Sequence, residues 1–585
     1  MCGIIAYNGS DNAVPYLVDG IKNLEYRGYD SAGCVLLDGS GNLLIRKSEG
    51  KVGDVIKNYA IDKYTSPKGI FHTRWATRGE VNTRNAHPIS DCTGKIAVAH
   101  NGIIENYDEI KNSLSDHKFT TDTDTEIIAH FLEDRMNGGL TMKDAVAELA
   151  HEMKGYSSFV AIDRDSDDIV ALKNGSPLVV GLASNGTFVA SDVPSFIKYT
   201  NRVVYLFDGD VVSIGKSGYR IDNLSDSDKK HEVKTVKIKY DESTKGDFPH
   251  FMLKEIMEQP AVVGRIEESG IESIERAAEL VKASGRVYLI GAGTSFNACM
   301  IAANLFRSLG MDATAIEGQN ISNYAGVISD KDLFILISQS GETMDVIQAL
   351  DLIKANKKIG ILNVEGSTLS NSVDVVVYIG AGHENAVAAT KTFTASVVYA
   401  MLIGMYAAGK VEEARNDLGL LKLALYNTLV PSVIGAVDAT ASLIKDKVNL
   451  FYLGRGADYV TALEGALKMK EVSYIHAEGI DSSTFKHGPL ALISKDIYSI
   501  ALVSDADRDA VMHNLSEIKA RGGRIIGISN HNSELFDFYL KSQPAGIFDF
   551  VPKVVISQLL AYKVSVLKGI NPDRPRNLAK AVTVK

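Results

Sequence analysis

Two stretches of this sequence repeat one pattern, about 165 residues apart. The sequence of 287–293 aligns with 450–456, and 332–337 aligns with 496–501. In both copies, solid apolar runs alternate with longer helical patterns, which is typical of parallel sheets covered by helices on both faces. Each copy is as large as a domain, so the repeat predicts two doubly wound α/β domains and not a solenoid.

The 585 residues suffice for about three to four domains. Before residue 220, short strand-like runs lie between Gly, Asn and Asp turns and predict a β-rich domain with helices at 13–24 and 125–136. The predicted divisions are a domain at 1–220, a charged linker at 221–250, the repeats at 251–420 and 421–570, and an irregular tail at 571–585. Strands are predicted in the repeats at 286–290, 333–337, 359–363, 373–379, 450–453, 498–503, 524–528 and about 548–551.

The charge of the chain argues against two classes of partner. Lys and Arg number 62 and Asp and Glu 72, a net charge of −10. Without a basic surface, neither nucleic acid nor an anionic membrane is expected to bind. The longest uncharged stretch, 392–409, contains hydroxyl residues and glycines and predicts a buried helix, not a membrane span.

The four cysteines, Cys2, Cys34, Cys92 and Cys299, are scattered and form no C-x-x-C pair. This spacing argues against a zinc ribbon and against a disulfide framework. The N-terminus has no basic segment followed by a long apolar run, so no signal peptide is predicted. A reducing cytoplasm is therefore the expected location.

Cys2 follows the initiator methionine and precedes Gly3, a context in which methionine is commonly removed. The thiol would then lie beside its own α-amine, which can act as its general base. Other residues of the first domain suit an amino-acid ligand. Arg74 can bind a carboxylate, Asn101 and Gly102 can donate hydrogen bonds to an oxyanion, and Asp124 can bind an ammonium group.

Five segments carry a resemblance: 1–4, 24–33, 72–77, 100–106 and 123–126. They are similar to the glutaminase domain of the N-terminal-nucleophile amidotransferases. The resemblance implies an αββα sandwich in which a cysteine attacks the glutamine amide, releases ammonia and leaves a thioester for hydrolysis. The roles implied are nucleophile for Cys2, oxyanion hole for Asn101 and Gly102, glutamine binding for Arg74 and Asp124, and gating of the ammonia passage for Trp75.

An anion site is predicted in the first repeat. Thr294, Ser295 and the segment 338–343 each follow an apolar strand and begin a helical pattern, where hydroxyls and backbone N–H groups can bind phosphate. A nicotinamide cofactor is not expected, because Phe296 occupies the third glycine position of the G-x-G-x-x-G pattern. The second repeat has Leu502 at the position of Ser338 and an acidic Asp505 nearby, so one such site per chain is expected.

Glu464, Lys468 and Glu471 fall on one face of a predicted helix. A solvent-exposed face with salt bridges is the ordinary explanation of this spacing. However, a histidine, His487, follows shortly afterwards in the sequence, which favours a functional site. These segments resemble sugar isomerase domains, and their order behind a glutaminase is similar to that of the isomerising amidotransferases of amino-sugar synthesis. The resemblance covers essentially the whole chain, through 575–584.

In that family a tail lysine, here Lys580, forms a Schiff base with the sugar ketone. The resemblance further implies ring opening by His487, proton transfer between C1 and C2 by Glu471, and support by Lys468 and Glu464. The implied phosphate and sugar contacts are Thr294, Ser295, Ser338, Gln339, Ser340 and Thr343.

The reaction implied converts D-fructose 6-phosphate and L-glutamine to D-glucosamine 6-phosphate and L-glutamate, the first step of the hexosamine pathway that leads to UDP-N-acetylglucosamine. Ammonia would pass between the sites inside the protein, with no cofactor and no metal, in a homodimer formed through the isomerase domains. Ala389, where the family has serine, and the altered loop at 481–485 leave open an amidotransferase acting on another ketose phosphate. A sensor without catalysis is disfavoured, because it would need neither Cys2 nor Glu471.

Overall fold

The structure, a computed structural model, describes residues 2–216, 218–224, 230–236, 244–269 and 271–581. Within these residues the chain divides into two compact units. The first contains residues up to 244 together with 579–581, and the second contains 245–578.

The first unit is a four-layer sandwich of helices and antiparallel strands. Its strands are β1 (Gly3–Gly9), β2 (Ser31–Leu37), β3 (Leu43–Glu49), β4 (Lys68–Arg74), β5 (Ile89–Ser90), β6 (Ile96–Gly102), β7 (Ser157–Asp163), β8 (Ile169–Lys173), β9 (Val179–Ala183), β10 (Gly186–Ala190), β11 (Arg202–Tyr205), β12 (Asp210–Gly215), β13 (Gly218–Asn223) and β14 (Lys234–Thr235). Its helices are α1 (Ala13–Leu24), α2 (Val52–Tyr59), α3 (Tyr107–Ser113), α4 (Thr125–Asn137) and α5 (Met142–Glu152).

Two sheets form the middle layers of this unit, in the orders β14-β11-β9-β10-β1-β4-β2-β3 and β13-β12-β8-β7-β6-β5. Apolar side chains such as Ile4, Ile70, Val98 and Val160 alternate along the strands and are fully buried. One apolar cluster lies between the two sheets, and two more lie under α1 and α2 on one side and under α3 to α5 on the other. The layers therefore run αββα, which confirms the expected fold.

The second unit contains the remaining elements. These are α6 (Phe251–Ser269), α7 (Ile271–Ala283), β15 (Val287–Gly291), α8 (Thr294–Ser308), β16 (Ala313–Glu317), β17 (Leu333–Ser338), α9 (Met344–Ile347), α10 (Ala349–Leu352), β18 (Lys357–Leu362), β19 (Val375–Tyr378), α11 (Lys391–Ala407), α12 (Val411–Thr428), α13 (Pro431–Ile444), β20 (Asn449–Gly454), α14 (Ala457–Ser473), β21 (His476–Asp481), β22 (Tyr498–Val503), α15 (Arg508–Ala520), β23 (Arg524–Ser529), β24 (Phe538–Lys541) and α16 (Phe550–Leu567).

The repeat detected in the sequence is a repeat of topology. The strands form two parallel five-stranded sheets, β16-β15-β17-β18-β19 and β21-β20-β22-β23-β24. Counted along the chain, each has the doubly wound order 2-1-3-4-5, in which ligands bind at the carboxyl ends of the first and third strands. The prediction of two doubly wound domains is confirmed.

The glycines that align between the two repeats are required for the same structural reason. A Cβ on Gly291 would lie 2.7 Å from the backbone of Ser295, and one on Gly454 would lie 2.0 Å from the carbonyl oxygen of Asp458. Gly293 and Gly456 follow with φ of +53° and +57°. Each strand can therefore turn tightly into its helix only with glycine at these positions.

Most of the predicted strands in the repeats are present, but 548–551 is not a strand. Residues 546–548 form a short 3-10 turn, and Phe550 begins α16. The strand that follows β23 in this sheet is instead the edge strand β24. A short apolar run does not distinguish a buried strand from the start of a buried helix. The strands β16, β21 and β24 were not predicted.

The uncharged stretch at 392–409 lies in α11, whose side chains from Lys391 to Tyr406 are buried, as predicted. By length and hydropathy, 546–567 would also suit a membrane span, but 83% of its most apolar stretch is buried inside the unit. Core helices of globular units have the same properties. The tail has no helix or strand between 571 and 581, as expected, and its last four residues lie outside the described residues.

Candidate active sites

Cys2 lies at the start of β1, beside the end of β4. Its Sγ accepts a hydrogen bond from the backbone N–H of Trp75 at 3.2 Å. Its carbonyl oxygen accepts from Arg27 Nε at 3.2 Å and from Asn101 Nδ2 at 3.1 Å. Burial raises the pKa of the Cys2 thiol, whereas the Trp75 N–H and the charge of Arg74 act in the opposite direction. The backbone N–H of Trp75 therefore holds the thiol, and Arg27 and Asn101 hold the backbone of Cys2.

The structure brings all six residues predicted for glutamine into one pocket of about 500 Å³, its open mouth included. They are Cys2, Arg74, Trp75, Asn101, Gly102 and Asp124. The backbone supplies the reason, since β1 begins, β4 and β6 end, and α4 begins at the same edge of the sandwich. Motifs that lie far apart in the sequence thereby contribute residues to one site.

Arg74 and Asp124 give the pocket two opposite charges. Arg74 is 3% exposed and donates to the carbonyl oxygens of Gly79 and Glu80, each at 3.3 Å. Asp124 is 4% exposed and accepts from the N–H of Ile104 at 2.9 Å. No ion pair joins the two among the described residues. A buried cation and a buried anion held apart in this way suit the carboxylate and ammonium groups of a free amino acid.

Gly102 is the one residue of the pocket that only glycine can occupy. Its φ is +140°, and a Cβ there would lie 2.1 Å from the carbonyl oxygen of Tyr156. The side-chain amide of Asn101 donates to Ser191 Oγ at 3.0 Å as well as to Cys2. In this structure that amide is thus engaged with the protein, and the oxyanion role of Asn101 stays a prediction.

We expect Gly102→Ala to destabilise the first unit by at least about 2 kcal/mol, because the new methyl group meets backbone that cannot move aside. Chemical unfolding followed by the fluorescence of Trp75, the single tryptophan of the chain, reports on this unit. Gly53→Ala is the matched control. Nothing lies within 4 Å of that Cβ position in α2, so stability should stay equal or rise by up to about 1 kcal/mol. Equal stability of both variants would contradict the packing of Gly102.

Several residues of the pocket were not predicted from the sequence. His87 and His100 line it, and both donate to or accept from Thr125 Oγ1 at 3.0 Å. Burial holds the pKa of His87 far below its ordinary value, and it lowers that of neighbouring His72 to about 3. These rings are therefore neutral supports and not general bases near neutral pH. Arg27 forms an ion pair with Asp192 at 3.2 Å. It lies within the motif 24–33, but no role was predicted for it.

The anion-site segments of the second unit also come together. β15 and β17 are neighbouring parallel strands, so Thr294 and Ser295 at the start of α8 lie at the same sheet edge as 338–343. Ser338 Oγ lies 2.9 Å from Thr343 Oγ1 and accepts from the N–H of Gly341 at 3.0 Å. Ser340 Oγ accepts from the N–H of Glu342, while Gln339 binds Asn363 through its backbone carbonyl.

Glu464, Lys468 and Glu471 form a buried ion cluster on α14. Lys468 Nζ lies 2.6 Å from Glu471 and 3.4 Å from Glu464, and the side chains of Lys468 and Glu464 are 1% and 0% exposed. Burial alone would lower the pKa of Lys468, but the two carboxylates outweigh it and raise that pKa above its ordinary value. The three side chains therefore do not form the solvent-exposed salt-bridge face that would ordinarily explain this spacing.

This cluster is tied to the predicted anion site. Thr294 Oγ1 donates to Glu464 at 3.2 Å and accepts from Lys468 Nζ at 3.1 Å, and Asn297 Nδ2 donates to Glu464 at 2.7 Å. Residues of the first repeat and of the second thus share one network. Asn297 was not predicted, and no sequence signal marks it.

One predicted residue of the second unit is not part of this network. His487 is exposed on a short 3-10 turn and makes no hydrogen bond or ion pair with the α14 cluster among the described residues. Lys580 is half-buried and belongs to the first unit. The roles of both stay predictions.

The corresponding edge of the second sheet is filled by the protein's own charges. Lys553 Nζ binds Asp549 at 2.6 Å and Ser504 at 2.9 Å, and it lies 3.5 Å from buried Asp458. The carboxylates at this edge are thus paired with the protein's own lysine, and the expectation of a single anion site stays a prediction.

Comparisons with known proteins match both units. A family described as a glutamine amidotransferase domain matches 72–198, and the SIS domain family matches 279–405 and 442–536. The glutamine--fructose-6-phosphate aminotransferases (isomerizing) of Thermococcus kodakarensis and Pyrococcus horikoshii are each 38% identical, over 605 and 608 residues, with 100% of this chain and of each relative covered. The C-terminal domain of glucosamine-fructose-6-phosphate aminotransferase from Francisella tularensis is 32% identical with a TM-score of 0.52, covering 57% of this chain and 100% of that one.

Proposed function

The chain belongs to the family of isomerizing glutamine--fructose-6-phosphate aminotransferases, and from that premise we propose that it converts D-fructose 6-phosphate and L-glutamine to D-glucosamine 6-phosphate and L-glutamate. The observation that carries the proposal is the pocket in which Cys2 lies with buried Arg74 and Asp124. A nucleophile in the same pocket as a carboxylate-binding cation and an ammonium-binding anion suits the amide of glutamine.

In the first half-reaction, Arg74 and Asp124 hold the α-carboxylate and α-ammonium groups of glutamine. The sulfur of Cys2 attacks the side-chain amide carbon, the C–N bond breaks, and the leaving nitrogen takes a proton and departs as ammonia. Water then hydrolyses the thioester to glutamate and regenerates the thiol. The N–H groups at Asn101 and Gly102 stabilise the oxyanion, and removal of Met1 supplies the α-amine of Cys2 as the base.

In the second half-reaction, Ser338, Gln339, Ser340 and Thr343, with Thr294 and Ser295, bind the phosphate and hydroxyl groups of the sugar. His487 assists ring opening, and the amine of Lys580 condenses with the C2 ketone and releases water. Ammonia replaces Lys580 at C2, and Glu471 moves a proton from C1 to C2 to yield the 2-amino aldose. Lys468 and Glu464 hold Glu471 in position.

Ammonia that stays inside the protein would remain neutral and undiluted, and positioning it against the sugar imine is worth an effective molarity on the order of 10⁵–10⁸ M. We place the enzyme in the cytoplasm, in keeping with four free cysteines. We also propose a homodimer formed through the isomerase domains, as the family resemblance implies. A different ketose phosphate as acceptor is not favoured, since the relatives' names specify fructose 6-phosphate.

The direct test supplies amide-¹⁵N glutamine and fructose 6-phosphate in a buffer that contains unlabelled ammonium. We expect labelled glucosamine 6-phosphate by mass spectrometry, with little unlabelled product, because ammonia passed inside the protein meets the sugar imine at a far higher effective concentration than ammonia from the buffer. Lys580→Ala should release labelled ammonia and glutamate without amino sugar. Glutamate without any amino sugar from the wild-type protein would exclude fructose 6-phosphate as the acceptor. Mostly unlabelled product would show that ammonia exchanges with solvent.

A further inference from the structure

Four potential metal ligands converge in the first unit, outside the glutamine pocket. Cys92 lies in the turn after β5, His117 in the connection from α3 to α4, and His130 and Glu133 on one face of α4. The sulfur, the two ring nitrogens and the carboxylate oxygen all lie within 4.8 Å of one another. Neither the sequence analysis nor the family comparison points to a metal here.

The distances within this cluster fit a tetrahedral zinc ion. Cys92 Sγ lies 3.6 Å from Nδ1 of His117 and 3.6 Å from Nδ1 of His130. Glu133 Oε2 lies 3.1 Å from the first of these nitrogens and 3.4 Å from the second. Ligand bonds of about 2.3 Å to sulfur and about 2.0–2.2 Å to nitrogen and oxygen at tetrahedral angles separate the ligand atoms by about 3.3–3.6 Å.

The Nε2 atoms of His117 and His130, which do not face the cluster, also have the surroundings that are typical of a zinc site. His117 Nε2 lies 3.0 Å from Asp134, and His130 Nε2 lies 3.6 Å from Glu126. Zinc-binding histidines commonly face a carboxylate with the nitrogen that does not bind the metal, which fixes the ring and strengthens it as a ligand. Glu126 is itself held by the backbone N–H groups of Thr120 and Thr121.

We propose that Cys92, His117, His130 and Glu133 bind one Zn²⁺ ion as a closed structural site. A thiolate and a carboxylate neutralise the two charges of the ion, and two imidazoles complete the four ligands of a structural zinc. The site ties α4 to the β5–β6 turn and to the segment that precedes α4. Because α4 begins next to Asp124, the metal fixes the element that presents this carboxylate to the glutamine pocket.

The test measures metal in the untagged, full-length protein. We expect about one zinc per chain by elemental analysis and, after chelation under reducing conditions, binding of one Co²⁺ with a tetrahedral spectrum and a thiolate-to-cobalt charge-transfer band. Cys92→Ser should lose the charge-transfer band and most of the zinc. Cys34→Ser is the matched control, since Cys34 is buried in β2 away from the cluster, and it should keep both.

Removal of zinc from the wild-type protein by a chelator should lower the midpoint of thermal unfolding by about 5 °C or more, and the same chelator should have no effect on Cys92→Ser. The cobalt titration of the wild-type protein does not depend on whether a variant folds. Less than about a tenth of an equivalent of zinc together with no cobalt spectrum would overturn the proposal. Full zinc in Cys92→Ser, or a stoichiometric metal other than zinc, would also overturn it.

Discussion

We expect Cys2→Ala to abolish the glutamine-dependent formation of glucosamine 6-phosphate, while slow formation from concentrated ammonium chloride continues. Loss of the nucleophile should lower the glutamine-dependent rate by at least about 10⁴-fold, because no other thiol lines the pocket. The isomerase residues lie in the second unit and need only ammonia. Parallel assays with glutamine and with ammonium chloride, read by mass spectrometry of the amino sugar, measure both rates on one preparation.

Cys34→Ser is the control for this substitution as well, and it should keep both rates within about twofold. Retention of more than about 1% of the glutamine-dependent rate in Cys2→Ala would contradict the assignment of the nucleophile. Equal loss of both rates would show that Cys2 is needed for folding. In that case Cys2→Ser, which keeps the volume and a weaker nucleophile, separates stability from chemistry.

Local signals explain what the sequence predicted well. The bounds of α1 agree with the predicted helix because Asn12 caps it, accepting from the N–H of Val14 at 3.2 Å, and because Leu17 and Ile21 bury one face. The six residues predicted for glutamine share one pocket because Cys2, Arg74 and Asn101 lie at strand ends within short motifs, whereas His87 and His100 of the same pocket were missed. Strand termini that meet at one edge of the sandwich bring such motifs together into a site.

Contacts between distant segments explain what was missed. Asn297 binds Glu464 across 167 residues, and no spacing rule connects them. The strand β21 contains His476 and Glu478, which gave it the appearance of a polar loop. The Cys92, His117, His130 and Glu133 cluster follows none of the usual zinc-ligand spacings, so only the folding of α4 against the β5–β6 turn reveals it.

Lys468→Met should be the most damaging single substitution in the second unit. Lys468 is the one cation within hydrogen-bonding distance of both Glu464 and Glu471 among the described residues. Its removal leaves a buried carboxylate without a counter-charge, at a cost of about 3–5 kcal/mol in the free energy of unfolding. Thermal and chemical unfolding followed by circular dichroism measure this loss, and formation of amino sugar should cease.

Glu471→Gln is the matched variant that separates chemistry from stability. Glu471 is 20% exposed, and its replacement leaves Glu464 paired with Lys468, so the free energy of unfolding should fall by clearly less than the about 3–5 kcal/mol expected for Lys468→Met. The amide cannot move the proton between C1 and C2, so the rate should fall by about 10²–10⁴-fold. An active Glu471→Gln would contradict the base assignment. If Lys468→Met proved as stable as the wild type, the ion cluster would not hold the two repeats together, and Glu471 would owe its position to α14 alone.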